Sequence, residues 1–189
     1  MPVTKENKRF TYTDYCSWPE EERWEIIDGY AYDMSPAPDT EHQLLTGTLY
    51  RMLGNALSGK PCIPFIAPTD VVLSELDIVQ PDILVVCDNQ KITKKNIQGA
   101  PDLVIEVLSP STARKDRWEK KRLYEKCGVK EYLLIDPEGK YVERFLRAED
   151  GFFDRGEILS PRETLSLKSL PGIDIPLWEL FGTEKPTPE

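Results

Sequence analysis

The chain is poor in the residues from which most hydrolytic sites are built. It has one histidine, His42, in 189 residues. Its four cysteines (Cys16, Cys62, Cys87 and Cys127) are widely spaced, and no pair has zinc-ligand spacing. A zinc hydrolase, which draws its ligands largely from those two residue types, is therefore disfavoured. Each cysteine sits in an apolar context and reads as a small reduced core residue rather than half of a disulfide. No serine or cysteine has the surroundings of a nucleophile motif, and no glycine-rich phosphate loop is present. No apolar run reaches the roughly 18 residues of a membrane span. The opening MPVTKENKRF lacks the apolar stretch of a signal peptide. A cytoplasmic protein with no membrane partner is expected. A basic excess is missing too: the net charge of −9 argues against a general nucleic-acid coat.

What is there suits a globular α/β protein. The length predicts one domain over 1–189, ordered from about 10 to 182, with 40% apolar residues to build a core. TYTDYCSW predicts a short helix capped by Thr11 or Thr13, after a loosely attached first dozen residues. WEIIDGYAYDM predicts a hairpin turning at Asp28-Gly29. A loop at SPAPD leads to a helix capped by Asp39 or Thr40 and running to about Leu57. CIPFIA, TDVVLS and IVQPDILVVCD predict strands, and 88–100 a polar loop. DLVIEVLS is apolar almost throughout, as a strand buried on both faces should be. A helix from about Thr112 to Cys127, closed by Gly128, leads to the strand VKEYLLID. Strand, strand, helix, strand is thus the central unit, ending in a βαβ crossover over a mixed sheet. KYVERFLR, FFDRGEI and LPGIDIP continue the strands, and a disordered tail is expected.

Two carboxylates interrupt the most apolar of these strands. Asp82 lies in VQPDILVV, on one face with Gln80 and Leu84. Glu106 lies in PDLVIEVLS, on one face with Val104 and Leu108. A buried carboxylate costs several kcal/mol unless it is paired or holds a cation. If the strands are neighbours, both acids lean over one sheet face. Glu25, between apolar residues in WEIIDG, is a third acid of the same kind. Such a set can hold magnesium, which takes oxygen ligands and keeps several waters.

The following helix adds a lysine. At 100° per residue, Ala113, Leu123, Tyr124 and Cys127 fall within about 60° of Lys120, which places it in the stripe that packs on the sheet. Lys121 falls on the flank. A buried lysine needs an anion, and Glu106, on the preceding strand of the sheet, is the natural one. A purely structural Lys–Glu pair is the alternative. Residues 111–131 carry eight Lys or Arg against four acids, a basic zone beside the buried carboxylates. Lys91, Lys94 and Lys95 form a second positive stretch.

Together these stretches resemble the Uma-type family of restriction endonucleases, within the PD-(D/E)XK nuclease superfamily. The resemblance runs from about Tyr12 to Phe181. It is carried by WEIIDGYAYDMSPAP, EHQ, VQPDILVV, the stretch from GAPDLVIEVLS to EYLLIDP, and LPGIDIPLWELF. It implies a restriction-endonuclease-like α/β core and a carboxylate–metal site. Asp82 matches the PD aspartate and Glu106 the acid of the (D/E)XK element. The lysine of that element would fall at Leu108; in the family it comes from the next helix, which matches Lys120. Glu25 matches the acid before the hairpin turn, as an added ligand or water-positioning group. His42 and Gln80 also match family positions, without an assigned role. Asp102 of the second Pro-Asp pair marks a strand entrance instead.

The expected activity is hydrolysis of DNA with Mg2+, for which Mn2+ could substitute. Asp82, Glu106 and Glu25 would hold the metal, and Lys120 would serve the reacting water or transition state. Arg114, Lys115 and Arg117 would grip the DNA backbone. A homodimer would suit cutting both strands. The competing readings are a nuclease-fold module that binds nucleic acid or a protein partner without cutting, and an enzyme acting on RNA or another phosphodiester.

Overall fold

Asp28 and Gly29 both take positive φ, +49° and +78°, and close a tight hairpin. In the computed structural model, which describes residues 8–19, 21–34 and 37–187, this hairpin joins β1 (Trp24–Ile27) to β2 (Tyr30–Asp33). It belongs to a five-stranded sheet with β4 (Val71–Ser74), β5 (Asp77–Val79) and β7 (Ile97–Gln98), in the order β2-β1-β5-β4-β7. The short helix α1 (Tyr12–Tyr15) is capped by Thr11, whose side chain accepts the Asp14 N–H. The predicted loose start is contradicted at Phe10. Residues 1–7 lie outside the described residues, whereas Phe10 donates its N–H to the Gly29 carbonyl and rests edge-on against Trp18.

A second, six-stranded sheet forms the centre. Its order is β11-β10-β9-β8-β6-β3. The strands are β3 (Ile63–Ile66), β6 (Ile83–Val86), β8 (Leu103–Val107), β9 (Glu131–Asp136), β10 (Tyr141–Leu146) and β11 (Glu157–Leu159). All five residues of β8 are buried. It pairs antiparallel with β6 and parallel with β9, as the crossover requires. One face is covered by α2 (Thr40–Ala56), capped by Asp39, through Leu45, Leu49 and Leu53 at helical spacing. The same face takes the C-terminal segment: β12 (Thr164–Ser166), β13 (Asp174–Pro176) and α5 (Leu177–Leu180). The other face packs against the crossover helix and the five-stranded sheet through Val104, Tyr132, Leu134, Leu123 and Tyr124.

Several expectations need correction. The run 79–87 is not one strand. It breaks at Gln80, Pro81 and Asp82 and feeds two sheets, since Pro81 has no N–H for a ladder. The stretch 88–100 is not all loop: Ile97 is buried and carries β7, parallel to β4. Cys62 and Cys87 are joined in a disulfide. The register Ile63↔Val86 sets them opposite each other across β3 and β6, a closeness that 25 residues of separation conceal. Cys16 is exposed, and Cys127 is only partly buried. The strand β12 was not expected. Ser35 and Pro36 of the predicted SPAPD loop, and residues 188–189 of the predicted tail, lie outside the described residues.

The crossover helix also departs from a regular α-helix. It runs as α3 (Ala113–Lys115), a π-helical turn over Asp116–Lys120, and α4 (Lys121–Cys127), closed by Gly128 at φ +91°. The Lys121 N–H reaches back five residues to the Asp116 carbonyl, and Tyr132 donates its hydroxyl to the same oxygen at 3.1 Å. A π turn holds extra residues per turn and re-aims the side chains before it.

Candidate active site

The break between β5 and β6 and the end of β8 meet beside the π turn. The antiparallel register Ile83↔Ile105 runs on toward Asp82 and Glu106. Asp82, just before β6, accepts the Val107 N–H on Oδ2 at 2.8 Å. His42, in the first turn of α2, approaches that same oxygen through Nε2 at 3.1 Å. Thr46, one turn on, donates to the His42 carbonyl at 2.7 Å and stands 3.4 Å from Nδ1. Burial alone would lower the His42 pKa, but the hydrogen bond and charge of Asp82 overcome it and raise it.

Lys120 is the hub of the buried charges. Its Nζ lies 2.7 Å from Oε1 of Glu25, 2.8 Å from Oε1 of Glu106 and 3.7 Å from Oδ1 of Asp116. Lys115 bonds the other oxygen of Glu25 at 2.7 Å. Glu25 Oε1 also accepts the backbone N–H of Gln80 at 3.1 Å. Tyr124 donates to Glu106 Oε1 at 2.8 Å. Burial opposes ionisation of Glu25, yet Lys120 and Lys115 bring it down to about 2. Glu106 goes the other way. Burial, only partly offset by Lys120 and reinforced by Asp116, Asp82 and Glu25, lifts it to about 8. Burial also raises Asp116. Two ammonium groups thus face four carboxyls, and two of these, Glu106 and Asp116, are pushed toward their neutral form.

These groups line one cleft of about 600 Å³, between α2, the 109–112 loop and the π turn. Asp82, Glu106, Lys120, Lys115, His42 and Gln80 all border it. Glu25 lies behind Lys115 and Lys120, fully buried, with both oxygens taken. Among the described residues, no three His, Cys, Asp or Glu side chains are grouped as ligands of one ion. Oδ1 of Asp82 and Oε2 of Glu106 have no hydrogen-bond partner among the described residues.

Of the expected site residues, Asp82, Glu106, Glu25 and Lys120 come together, with His42 and Gln80 beside them. The three basic residues expected to grip DNA do not form a row. Arg114 is exposed on α3. Lys115 points inward to Glu25. Arg117 is held on another face by Glu143, by the Tyr141 hydroxyl at 2.9 Å and by Asp136 at 3.7 Å. Asp116 and Tyr124 were missed as members of the charge cluster. Asp116 is spaced four residues from Lys120 on a buried helix face, a signal that was available.

The mixed sheets with a βαβ crossover, and an acidic cleft at the strand ends, define a restriction-endonuclease-like fold. A crystal structure from Anabaena variabilis, described as a putative nuclease belonging to DUF820, superposes with a TM-score of 0.76 over 92% of this chain and 98% of that one, at 20% identity. The model of the Uma2 family, described as "Putative restriction endonuclease", matches residues 12–177, and the chain belongs to that family. A relative named uncharacterized protein slr1290, from Synechocystis sp., is 30% identical over 144 residues, covering 73% of this chain and 74% of its own. Among the described residues, no helix is long and apolar enough to cross a membrane.

Proposed function

We propose that this protein is a metal-dependent endonuclease that hydrolyses DNA phosphodiester bonds, carried by a single domain. One observation carries the reading. Asp82 and Glu106 each present to the cleft an oxygen that has no partner among the described residues, beside a cluster in which four carboxyls outnumber two lysines. That surplus of acids suits a divalent cation, whose charge would draw Glu106 back to its ionised form. Magnesium keeps several waters and so tolerates a short list of protein ligands. Asp82 and Glu106 would hold it, with manganese as a substitute. Bound there, it would polarise a phosphoryl oxygen and acidify a water.

The chain's own residues do the rest. Glu25 was expected as a third ligand or a water-positioning group. Its two lysine bonds favour a different role: it fixes Lys115 and Lys120 at the cleft wall. Lys120 stabilises the negative charge that grows on the phosphoryl group, or orients the attacking water. His42 fixes the Asp82 carboxylate through its 3.1 Å contact, as outer partners of metal ligands do. Cutting both strands of a duplex needs two such sites, so a homodimer belongs to the proposal. So does a cytoplasmic location, although the Cys62–Cys87 bond is unusual in a reducing compartment.

Nicking of supercoiled plasmid in magnesium tests the reading. Wild type should nick, while Asp82→Asn and Lys120→Ala lose the activity. Lys121→Ala should keep it, because Lys121 lies over the Phe145 ring, outside the cleft. Equal loss from both lysine variants would defeat the assignment of Lys120. A second reading, a nuclease fold that binds without cutting, is favoured by the hold of Lys120 and Tyr124 on Glu106. Calorimetry with calcium or manganese separates the two. Heat that disappears in Glu106→Ala supports the enzyme, and no heat in wild type supports the silent module.

A further inference from the structure

Arg23 is the basic group of the cleft that has no opposite charge beside it among the described residues. Its Nε and Nη2 donate to Oε1 of Gln80 at 3.1 and 2.9 Å. Gln80 is neutral, and no carboxylate pairs with Arg23 among the described residues. Arg23 is half-buried, just before β1. It borders the cleft of Asp82 and Glu106 and also a second groove of about 690 Å³. Gln80 and Pro68 are shared by both depressions, so the two meet at Arg23.

The second groove has the chemistry of a nucleotide strand. One wall is aromatic, with Tyr12, Tyr15 and Trp18 from the α1 segment and Phe65 from β3. The tyrosines are held by their hydroxyls. Tyr15 donates to Asp70 at 3.0 Å, and Tyr12 accepts from Asn96 at 2.6 Å. The Thr93–Ile97 turn, whose tip carries Lys94 and Lys95, also lines the groove. Thr93 Oγ1 accepts the N–H groups of Lys95 and Asn96 and so fixes that tip. Both lysines are exposed and pair with no acid among the described residues. Two of the three acids of the groove are engaged. Asp70 takes Tyr15 and Gln80, Glu22 takes the Trp24 indole, and Glu21 is exposed. Rigid rings beside unpaired cations are how single strands are bound with little regard to sequence.

We infer that this groove binds the single strand of DNA that continues from the scissile phosphate. Arg23 holds the phosphate at the junction, Lys94 and Lys95 hold the next ones, and the aromatic wall takes the unpaired bases. The inference rests on the nuclease reading above, and it gives that site a direction along which the strand leaves.

Fluorescence anisotropy of a short labelled DNA single strand in calcium tests it without turnover. Arg23→Gln and the double variant Lys94→Glu/Lys95→Glu should each weaken binding about tenfold, and Arg23→Gln should lower the slope of log K against log salt by about 0.7. Lys168→Glu, an exposed change away from both depressions, should bind as wild type does. The double lysine variant alters only exposed side chains, so it carries the test if Arg23→Gln misfolds. If wild type binds and both test variants match Lys168→Glu, the groove assignment falls and the nuclease reading stands. Tighter binding of the matching duplex, weakened equally by the variants, overturns the single-strand assignment. No binding of either DNA by wild type overturns the groove and the nuclease reading together.

Discussion

Lys120 makes the buried cluster possible, because removing its charge leaves three acids with Lys115 alone, which bonds only Glu25 of the three. Breaking a buried ion pair from one side costs about 3–5 kcal/mol. Lys120→Met should therefore destabilise the protein by at least about 3 kcal/mol. Lys121→Met, outside the cluster, should stay within about 0.5 kcal/mol. Urea midpoints at equal m-values measure both. Glu106 adds a dependence on pH. Its carboxyl ionises near 4.5 ordinarily and near 8 in the fold. Between those values the unfolded chain has lost a proton that the native state keeps, so rising pH favours unfolding. Chelator-treated protein should lose stability from about pH 5 to pH 8, and Glu106→Gln should flatten that slope. A flat profile for wild type would show that Lys120 keeps Glu106 ionised throughout.

At the scale of elements, the sequence was informative wherever one periodicity prevailed. The hairpin at Asp28-Gly29, the Asp39 cap, the buried strand around Glu106 and the Gly128 stop all lie where pattern and turn chemistry put them. The break at Gln80–Asp82 did not show, because an apolar run reads the same whether it serves one sheet or two. The disulfide did not show because cross-strand neighbours are set by register. The π turn explains the misplacement of Lys115. In a regular helix Lys115 lies about 140° from Lys120 and faces solvent; the extra residue in the turn swings it inward to Glu25. Lys115→Ala should accordingly cost about 3 kcal/mol, whereas Arg114→Ala should cost under about 0.5 kcal/mol. Equal costs would mean that the helix is regular in solution. Thiol titration of unreduced, denatured protein should find two free cysteines, rising to four after reduction.

At the scale of the molecule, the acids were legible as a set but their division of labour was not. Which carboxylate receives the lysines depends on the angle between two sheets and a helix, and no local pattern carries that angle. The C-terminal segment was legible only in part, since β12 has a single buried residue, Leu165. Its packing still matters. Leu165, Leu167, Leu170, Ile173, Ile175 and Leu177 are all buried against the six-stranded sheet and α2. Each such side chain contributes about 1.5–3 kcal/mol of burial, against a total stability of about 5–15 kcal/mol. A chain ending at residue 160 should fail to accumulate in soluble form, and fractionation of expressing cells checks this.

The strand that breaks at Gln80–Pro81–Asp82 has one more consequence. Glu25 belongs to one sheet, Glu106 to the other, and both lysines to a helix that comes later in the chain. Gln80 touches the first acid through its N–H, and two residues on, Asp82 is tied to Val107 and His42. The cluster therefore cannot exist in a half-built chain. A molecule still emerging from synthesis, or one partly unfolded, carries its acids and lysines apart and is harmless to the DNA around it. For a protein proposed to cut DNA, the fold itself is the safety catch.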